Sequence, residues 1–359
     1  MTENTPEIVH EGQEKAAVGV PQGSPLVDLF ARSISYLRVS LTDQCNLRCV
    51  YCTPKEIDEK LACGELLSYE ELLRVISLAV GLGIRKVRLT GGEPLVRKNV
   101  ISFIDRLAAI PDLQDIRLTT NGVMLKTYGE ALFAAGIRKL NISLDTLKRD
   151  RFARITGRDL FDQVWEGIQW VQTIGFWPVK LNMVVLRGVN DDELLDFARL
   201  SLKKDLQVRF IEFMPIGEST IWGRDKYISS DEIRQRISAL GELEEAYSHH
   251  MDGPARIYRF KKVYGAEGVK PKGTVGFISP ISHKFCDKCN RLRLTSEGKL
   301  RSCLLSDLET DIKAILRSGG SDEDVRQALM HTILNKPKSH TLLGSEQVSC
   351  QGRMSRIGG

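Results

Sequence analysis

The chain has 359 residues, 42% of them hydrophobic, and a formal net charge of +5. That is enough apolar material for one large domain with an extension, or for two domains, and it excludes a wholly disordered polypeptide. No apolar run approaches the length of a membrane span, and so mild a positive charge suits an anionic small molecule without marking a nucleic-acid binder.

Residues 1–27 are polar, contain Gly and Pro, and lack the basic start and apolar stretch of a secretory signal, so a disordered tail is expected there. Strand patterns follow at 36–42, 86–90, 115–119, 139–144, 179–186 and 208–214. They alternate with helical patterns at 68–82, 100–109, 125–135, 161–174 and 191–203. The first helix opens on Ser68 with Glu71 three residues on, a capping box. Six strand–helix repeats predict a parallel sheet with helical crossovers. Six are too few for an eight-fold barrel, which leaves an open barrel or a wound sheet. One more helix is expected at 231–240, then short antiparallel strands and loops over 249–282. The chain therefore divides into a first unit, 28–225, and a C-terminal unit, 226–359.

Eight cysteines without a secretory signal point to metal chemistry in a reducing compartment, the cytoplasm, rather than to disulfides. Cys45, Cys49 and Cys52 have the spacing C-x3-C-x2-C. Four-iron clusters normally take four thiolates, so three leave one iron open to another ligand. Cys286, Cys289 and Cys303 form a second set, C-x2-C-x13-C. A zinc site completed by His283 or Cys350 is the alternative there. Cys63 belongs to neither set and reads as incidental.

Gly91-Gly92-Glu93-Pro94 leaves the second predicted strand, and Thr119, Ser143 and Met214 stand at or near the ends of later ones. The C-terminal ends of parallel strands are where barrels of this kind place their chemistry. Arg38, Arg88 and Lys180 lie within three different strands, where a cation is costly unless it meets an anion or reaches water. Arg291 and Arg293 alternate with Leu292 and Leu294, so in a strand both would share one face. His249 and His250 read as surface. No phosphate-binding G-x4-G-K-[ST] loop occurs.

The first cysteine run, with Tyr51 inside it, resembles the signature of the radical S-adenosylmethionine superfamily. Adding the Gly-Gly-Glu-Pro turn, Phe285-Cys286-x-x-Cys289-Asn290-Arg291-Leu292-Arg293 and the terminal Gly358-Gly359 narrows the match. From about residue 29 to 359 the chain resembles the GTP 3′,8-cyclases, which start molybdenum cofactor biosynthesis. The resemblance implies an α/β fold, an incomplete (β/α)6 barrel of radical S-adenosylmethionine type whose open side is closed by a C-terminal α+β domain. It implies two [4Fe–4S] clusters, on Cys45, Cys49 and Cys52 and on Cys286, Cys289 and Cys303. S-adenosylmethionine would sit against the first cluster with Tyr51, Gly92, Ser143 and Met214. GTP would meet Arg38, Arg88, Thr119, Lys180, Arg291, Leu292 and Arg293. No side chain is expected to act as a catalyst in its own right. A 5′-deoxyadenosyl radical would remove the 3′ hydrogen of GTP, and the tail ending in Gly358 and Gly359 would reach the site. The implied partners are GTP, an external one-electron reductant and the pathway enzyme that takes the cyclised nucleotide. A homodimer is allowed; membrane and nucleic acid are not expected. The competing readings are a peptide-modifying radical enzyme with an auxiliary cluster and a non-catalytic iron–sulfur or zinc module.

Overall fold

The computed structural model describes residues 26–52, 60–217, 223–247, 253–266, 268, 270–340, 350 and 352–358. The tail expected over 1–27 lies outside them except for its last two residues: Leu26 is buried and Val27 forms an antiparallel bridge with Ser33. Six strands with their helices come first. They are β1 (Tyr36–Ser40), α1 (Tyr69–Gly81), β2 (Lys86–Thr90), α2 (Val100–Ala108), β3 (Asp115–Thr120), α3 (Leu125–Ala134), β4 (Leu140–Ser143), α4 (Arg149–Thr156), α5 (Phe161–Ile174), β5 (Val179–Val185), α6 (Leu194–Lys203) and β6 (Leu206–Glu212). The remainder holds α7 (Ser230–Ile237), β7 (Gly241–Glu245), β8 (Arg256–Val263), β9 (Thr274–Ile278), β10 (Arg291–Leu294), β11 (Lys299–Arg301), β12 (Glu309–Asp311), α8 (Ile312–Arg317), α9 (Asp322–Leu334) and α10 (Met354–Ile357).

Local chemistry accounts for the elements. The Ser68 hydroxyl accepts from the Glu71 N–H at 3.1 Å while the Glu71 carboxylate accepts from the Ser68 N–H at 2.6 Å, so α1 starts with two of its orphan donors satisfied. Its buried residues Leu72, Val75, Ile76 and Ala79 recur at helical spacing and pack on the sheet. The two-residue period of a strand sorts β1 and β2 into faces. Leu37, Val39, Val87 and Leu89 join the hydrophobic core, while Tyr36, Arg38, Arg88 and Thr90 line a cavity.

All the described strands form one sheet, in the order β12-β11-β10-β1-β2-β3-β4-β5-β6-β9-β8-β7. From β1 to β6 the neighbours follow chain order and are parallel. A doubly wound sheet would reverse that order at a switch point; this one does not, and among the described strands the two edges do not meet. The architecture is the incomplete barrel. The C-terminal part extends the same sheet at both ends. β10 lies parallel to β1 and β9 parallel to β6. Antiparallel β11 and β12 follow on one side, β8 and β7 on the other.

Several details differ from the sequence reading, three of them instructive. β6 is shifted two residues towards the N-terminus and ends at Glu212, so Met214 lies past it. The Glu212 carboxylate gathers the N–H groups of Ser230, Ile281 and Ser282 at 2.8–3.0 Å, and the chain leaves the ladder there. α4 carries only Phe152, Ile155 and Thr156 as buried residues, too short a pattern to stand out. α9, where the sequence reading places no element, has a Ser321–Asp324 capping box and buries Val325, Ala328, Leu329, Thr332 and Ile333. No helix among the described residues is long and apolar enough to cross a membrane.

The Gly-Gly turn after β2 is required by packing of backbone on backbone. The Gly92 N–H donates to the Thr42 carbonyl at 2.7 Å and the Glu93 N–H to that of Gln44 at 2.8 Å. A Cβ on Gly92 would stand 2.3 Å from the Gln44 carbonyl oxygen, and one on Gly91, whose φ is +147°, 2.4 Å from that of Thr42. Gly92→Ala is expected to cost about 1–3 kcal/mol and to push the 42–45 segment away from the turn. Urea unfolding of the variant measures the cost; an unchanged midpoint would mean that the loop yields freely.

Candidate active site

The cysteine loop that follows β1 is clamped from two sides. Besides the Gly-Gly turn, α4 receives it: the Arg48 N–H donates to the Thr156 carbonyl at 2.7 Å and the Val50 N–H to that of Ile155 at 2.9 Å. The Cys45 sulfur accepts from the Leu47 N–H at 3.4 Å and from the Asn121 amide at 3.6 Å. The second set comes from the far end of the chain. Cys289 lies two residues before β10, and Cys303 two residues after β11. All six cysteines line a single cavity, but at two levels of it: the first set lies beyond the C-terminal end of β1, whereas Cys289, ahead of β10, and Cys303, after antiparallel β11, lie towards the N-terminal end of the β1–β10 pair.

Burial pushes the Cys45 and Cys49 thiols up. At Cys289 burial also works against the thiolate, but Arg291 and Lys336 outweigh it and bring the thiol down to about 7. Neither residue proposed to complete a zinc site is available to it. His283 pairs with Asp231 at 2.7 Å. The Cys350 thiol, outside the cavity lining, donates towards Asp307 and the Leu304 carbonyl at 3.1 and 3.3 Å. Among the described residues no three His, Cys, Asp or Glu side chains close on a point as the ligands of one ion would. A four-iron cluster spreads its thiolates over different irons, so two sets of three sulfurs facing a cavity suit such clusters.

Tyr51, Gly92, Ser143 and Met214 all line the cavity near the first set. The Tyr51 hydroxyl donates to Asp145 at 2.5 Å, and the Val184 N–H donates to the same carboxyl at 2.9 Å. Burial nevertheless raises the Asp145 carboxyl to about 6. Glu93 is buried beneath the turn, accepts from the Asn121 and Leu95 N–H groups at 2.7 and 3.0 Å, and is raised to about 7 by burial.

Cations line the rest. Arg293, Arg38 and Arg88 stand in register across β10, β1 and β2; Arg117 continues the row in β3 but pairs with Asp115 at 2.5 Å and stays out of the lining. Arg88 is 4% exposed, donates to the Tyr36 hydroxyl at 2.5 Å and to Thr119 at 3.3 Å, and so does not snorkel to water. Burial would raise the Tyr36 phenol, but Arg88, Arg38, Lys86 and Arg291 prevail and hold it at about 7. Arg38 is lowered to about 10, chiefly by burial. Thr119, Arg291 and Arg293 line the cavity with them. Two expected contacts sit elsewhere. Lys180 is buried in β5 at the level of Asn141 and Gln207 but does not line the cavity, and Leu292 points into the hydrophobic core, as the strand period requires. Residues missed by sequence reasoning include Asn141, Asn182 and Arg209, all lining the cavity. Arg209 carried the same signal as Arg38, a cation inside a strand; the asparagines carried none.

The described C-terminal residues border the cavity through Met354. Cys350 bridges to Ile216, α10 lies against β1, and Arg293 donates to the Gly358 carbonyl at 2.5 Å. Gly359 lies outside the described residues.

Two family models match the chain: the radical SAM superfamily over residues 39–201 and Molybdenum Cofactor Synthesis C over residues 206–342. The GTP 3′,8-cyclase of Thermodesulfovibrio yellowstonii is 48% identical over 92% of this chain and 99% of its own length. That of Pelotomaculum thermopropionicum is 46% identical over the same shares. The chain belongs to the GTP 3′,8-cyclase family. Of solved structures, Streptococcus suis SuiB aligns with a TM-score of 0.56 at 13% identity, over 86% of this chain and 68% of SuiB. SuiB bound to S-adenosylmethionine gives 0.55 at 12%, over 89% and 76%. At such identity the likeness shows the fold alone.

In this member of the cyclase family the tail end is tightly fitted. Gly358 has φ +78°, and a Cβ there would stand 2.5 Å from the Thr90 methyl. Gly358→Ala is expected to release the tail, read as faster carboxypeptidase trimming with thermal stability nearly unchanged. Thr90→Ser in the same chain removes the methyl and should restore part of the protection. A tail equally protected in Gly358→Ala would show that the fit is loose.

Proposed function

We propose that the chain converts GTP to 3′,8-cyclo-7,8-dihydro-GTP, the first step of molybdenum cofactor biosynthesis, as a radical S-adenosylmethionine lyase. One observation carries the reading: six cysteines from opposite ends of the chain, in two sets of three, face one cavity whose wall is arginine. When bound, the first cluster with S-adenosylmethionine supplies one-electron cleavage to methionine and a carbon radical. Cys45, Cys49 and Cys52 would hold that cluster. Tyr51, Gly92, Ser143 and Met214 would seat S-adenosylmethionine, with Tyr51 kept in place by Asp145. Cys286, Cys289 and Cys303 would hold the second cluster on the side of the guanine base.

Arg38, Arg88, Arg291 and Arg293 would bind the triphosphate, with Thr119 beside Arg88. In a cavity with little water these charges act at low dielectric, where each is worth more than on a surface. They also explain why cations tolerate burial in a barrel interior: the fold leaves them to be neutralised by substrate and by Tyr36. Lys180, level with Asn141 but outside the cavity lining, would add to the same positive field. The Leu292 contribution would come from its backbone. The tail through Gly358 and Gly359 would close the cavity against water, which protects a radical from side reactions.

The working division is a barrel unit, 28–225, that generates the radical, and a unit, 226–359, that brings the second cluster and the tail. An external one-electron reductant in the cytoplasm, a pathway enzyme that takes the product, and a homodimer complete the proposal.

Anaerobic reconstitution should give about eight irons per chain. Cys49→Ala is expected to abolish S-adenosylmethionine cleavage, whereas Cys289→Ala should retain cleavage and lose the cyclised nucleotide, both read by mass spectrometry. Stoichiometric zinc at the second set in protein kept from air would sink this division of labour. Arg291→Ala and Arg293→Ala are each expected to lower GTP affinity or cyclisation at least tenfold, the loss of about 1.5–3 kcal/mol for a charge-assisted contact. Uncoupled S-adenosylmethionine cleavage should persist, and normal cyclisation kinetics in the double variant would return the pair to a structural role.

A further inference from the structure

Lys336 follows the end of α9 and is 3% exposed. Its Nζ donates to the Arg291 carbonyl at 2.9 Å and to the Ser302 carbonyl. Both carbonyls belong to segments that bear ligands of the second set: Arg291 comes two residues after Cys289, and Ser302 immediately precedes Cys303. Two other buried cations of this region are matched by carboxylates. Arg32, which also donates to the Cys286 carbonyl at 2.9 Å, pairs with Asp28 at 2.5 Å. Arg301 pairs with Asp307 at 2.9 Å. Lys336 has no such carboxylate among the described residues; its hydrogen-bond partners there are the two carbonyls and the Cys289 sulfur.

A buried ammonium with no carboxylate beside it is costly unless another anion faces it. The titratable and charged groups that face Lys336 are the thiols of Cys289 and Cys303 and the guanidiniums of Arg32 and Arg291. The two guanidiniums make its position worse, so the thiolates must compensate. Substrate cannot do so, because Lys336 does not line the cavity.

We propose that Lys336 is the fixed counter-charge of the second iron–sulfur cluster, tying the Cys289 and Cys303 segments together and raising that cluster's reduction potential. The inference rests on the reading that the second set carries a cluster. Reduction adds negative charge, and a buried cation nearby favours the reduced state; cluster potentials follow local charge and hydrogen bonding in this way. The first set has a different surround: Glu93 and Asp145 face Cys45 and Cys49, with Lys60 beside Cys45. The chain thus holds its two clusters at different potentials, the second being the easier to reduce. Lys336 is a positioning residue here and does not touch substrate.

The test uses two full-length backgrounds. In Cys45→Ala/Cys49→Ala/Cys52→Ala only the second cluster remains, and its midpoint is read by an EPR-monitored redox titration after anaerobic reconstitution. Lys336→Met and Lys336→Gln are expected to lower that midpoint, while Lys336→Arg stays near the parent. In Cys286→Ala/Cys289→Ala/Cys303→Ala, Lys336→Met should leave the first cluster's midpoint where it was. Loss of second-set iron in both neutral variants but not in Lys336→Arg would support the same need for charge. An unmoved midpoint in the neutral variants with iron retained would overturn the proposal, as would equal behaviour of the arginine and neutral variants. Absence of iron from the second set with Lys336 intact would instead refute the underlying cluster assignment, an outcome separable from the others by iron counting alone.

Discussion

β10 lies parallel to β1, with Arg291, Leu292, Arg293 and Leu294 opposite Tyr36, Leu37, Arg38 and Val39, and the rest of the site depends on that pairing. It carries a segment from beyond residue 285 across to the edge of a barrel that would otherwise end at β1. Cys289 is thereby brought to the cavity at the end of β1 opposite Cys45, and Arg293 is set level with Arg38. The same step places Leu292 and Leu294 in the core beside Leu37 and Val39. Apolar burial on the outer face therefore fixes the register that presents arginines on the inner one, because a slip of one residue would exchange the faces.

The interior that results is unlike the aliphatic filling of a closed barrel. Its wall is cationic, and the internal counterweight named by the structure is a phenol held at about 7. A fold stores such charge only at a cost in stability, and the cost makes sense where a polyanion completes the structure. Around the two cysteine sets the electrostatics diverge. Carboxyls approach the first, while Arg291 and Lys336 approach the second. Two similar inorganic groups in one cavity can thus be held in unlike fields by the chain alone.

The C-terminal tail ties these parts together. Ile216 beyond β6, Arg293 in β10 and Thr90 at the end of β2 each touch it, so it spans both edges of the open barrel. The two glycines after β2 and Gly358 share a physical logic: each sits where any Cβ would enter space already held by another chain segment. At Gly91 and Gly92 that space belongs to the cysteine loop, so these glycines shape the protein itself as well as the approach of a ligand.

Read alone, the sequence determined what neighbours along the chain determine. Capping chemistry placed α1, the two-residue period placed β1 to β5 to within a few residues, and thiol spacing marked both cysteine sets. The cations Arg38 and Arg88 were legible because charge inside a strand is costly wherever it occurs. Arg209 carries that signal too, and α9 carries its own capping box, so both are legible in the sequence. Other facts came only with the tertiary structure. That β10 adjoins β1 and β9 adjoins β6 is a pairing across more than 60 residues, which no local period encodes. That Lys180 stays out of the cavity lining, that Asn141 and Asn182 line it, and that His283 and Cys350 are engaged elsewhere depend on where separate strands and loops meet. Local pattern is set by steric and hydrogen-bond preferences within a few residues. The partners of a strand edge or a buried charge are decided by the packing of the whole chain, where burial of one segment's apolar face determines what another segment's polar face must meet.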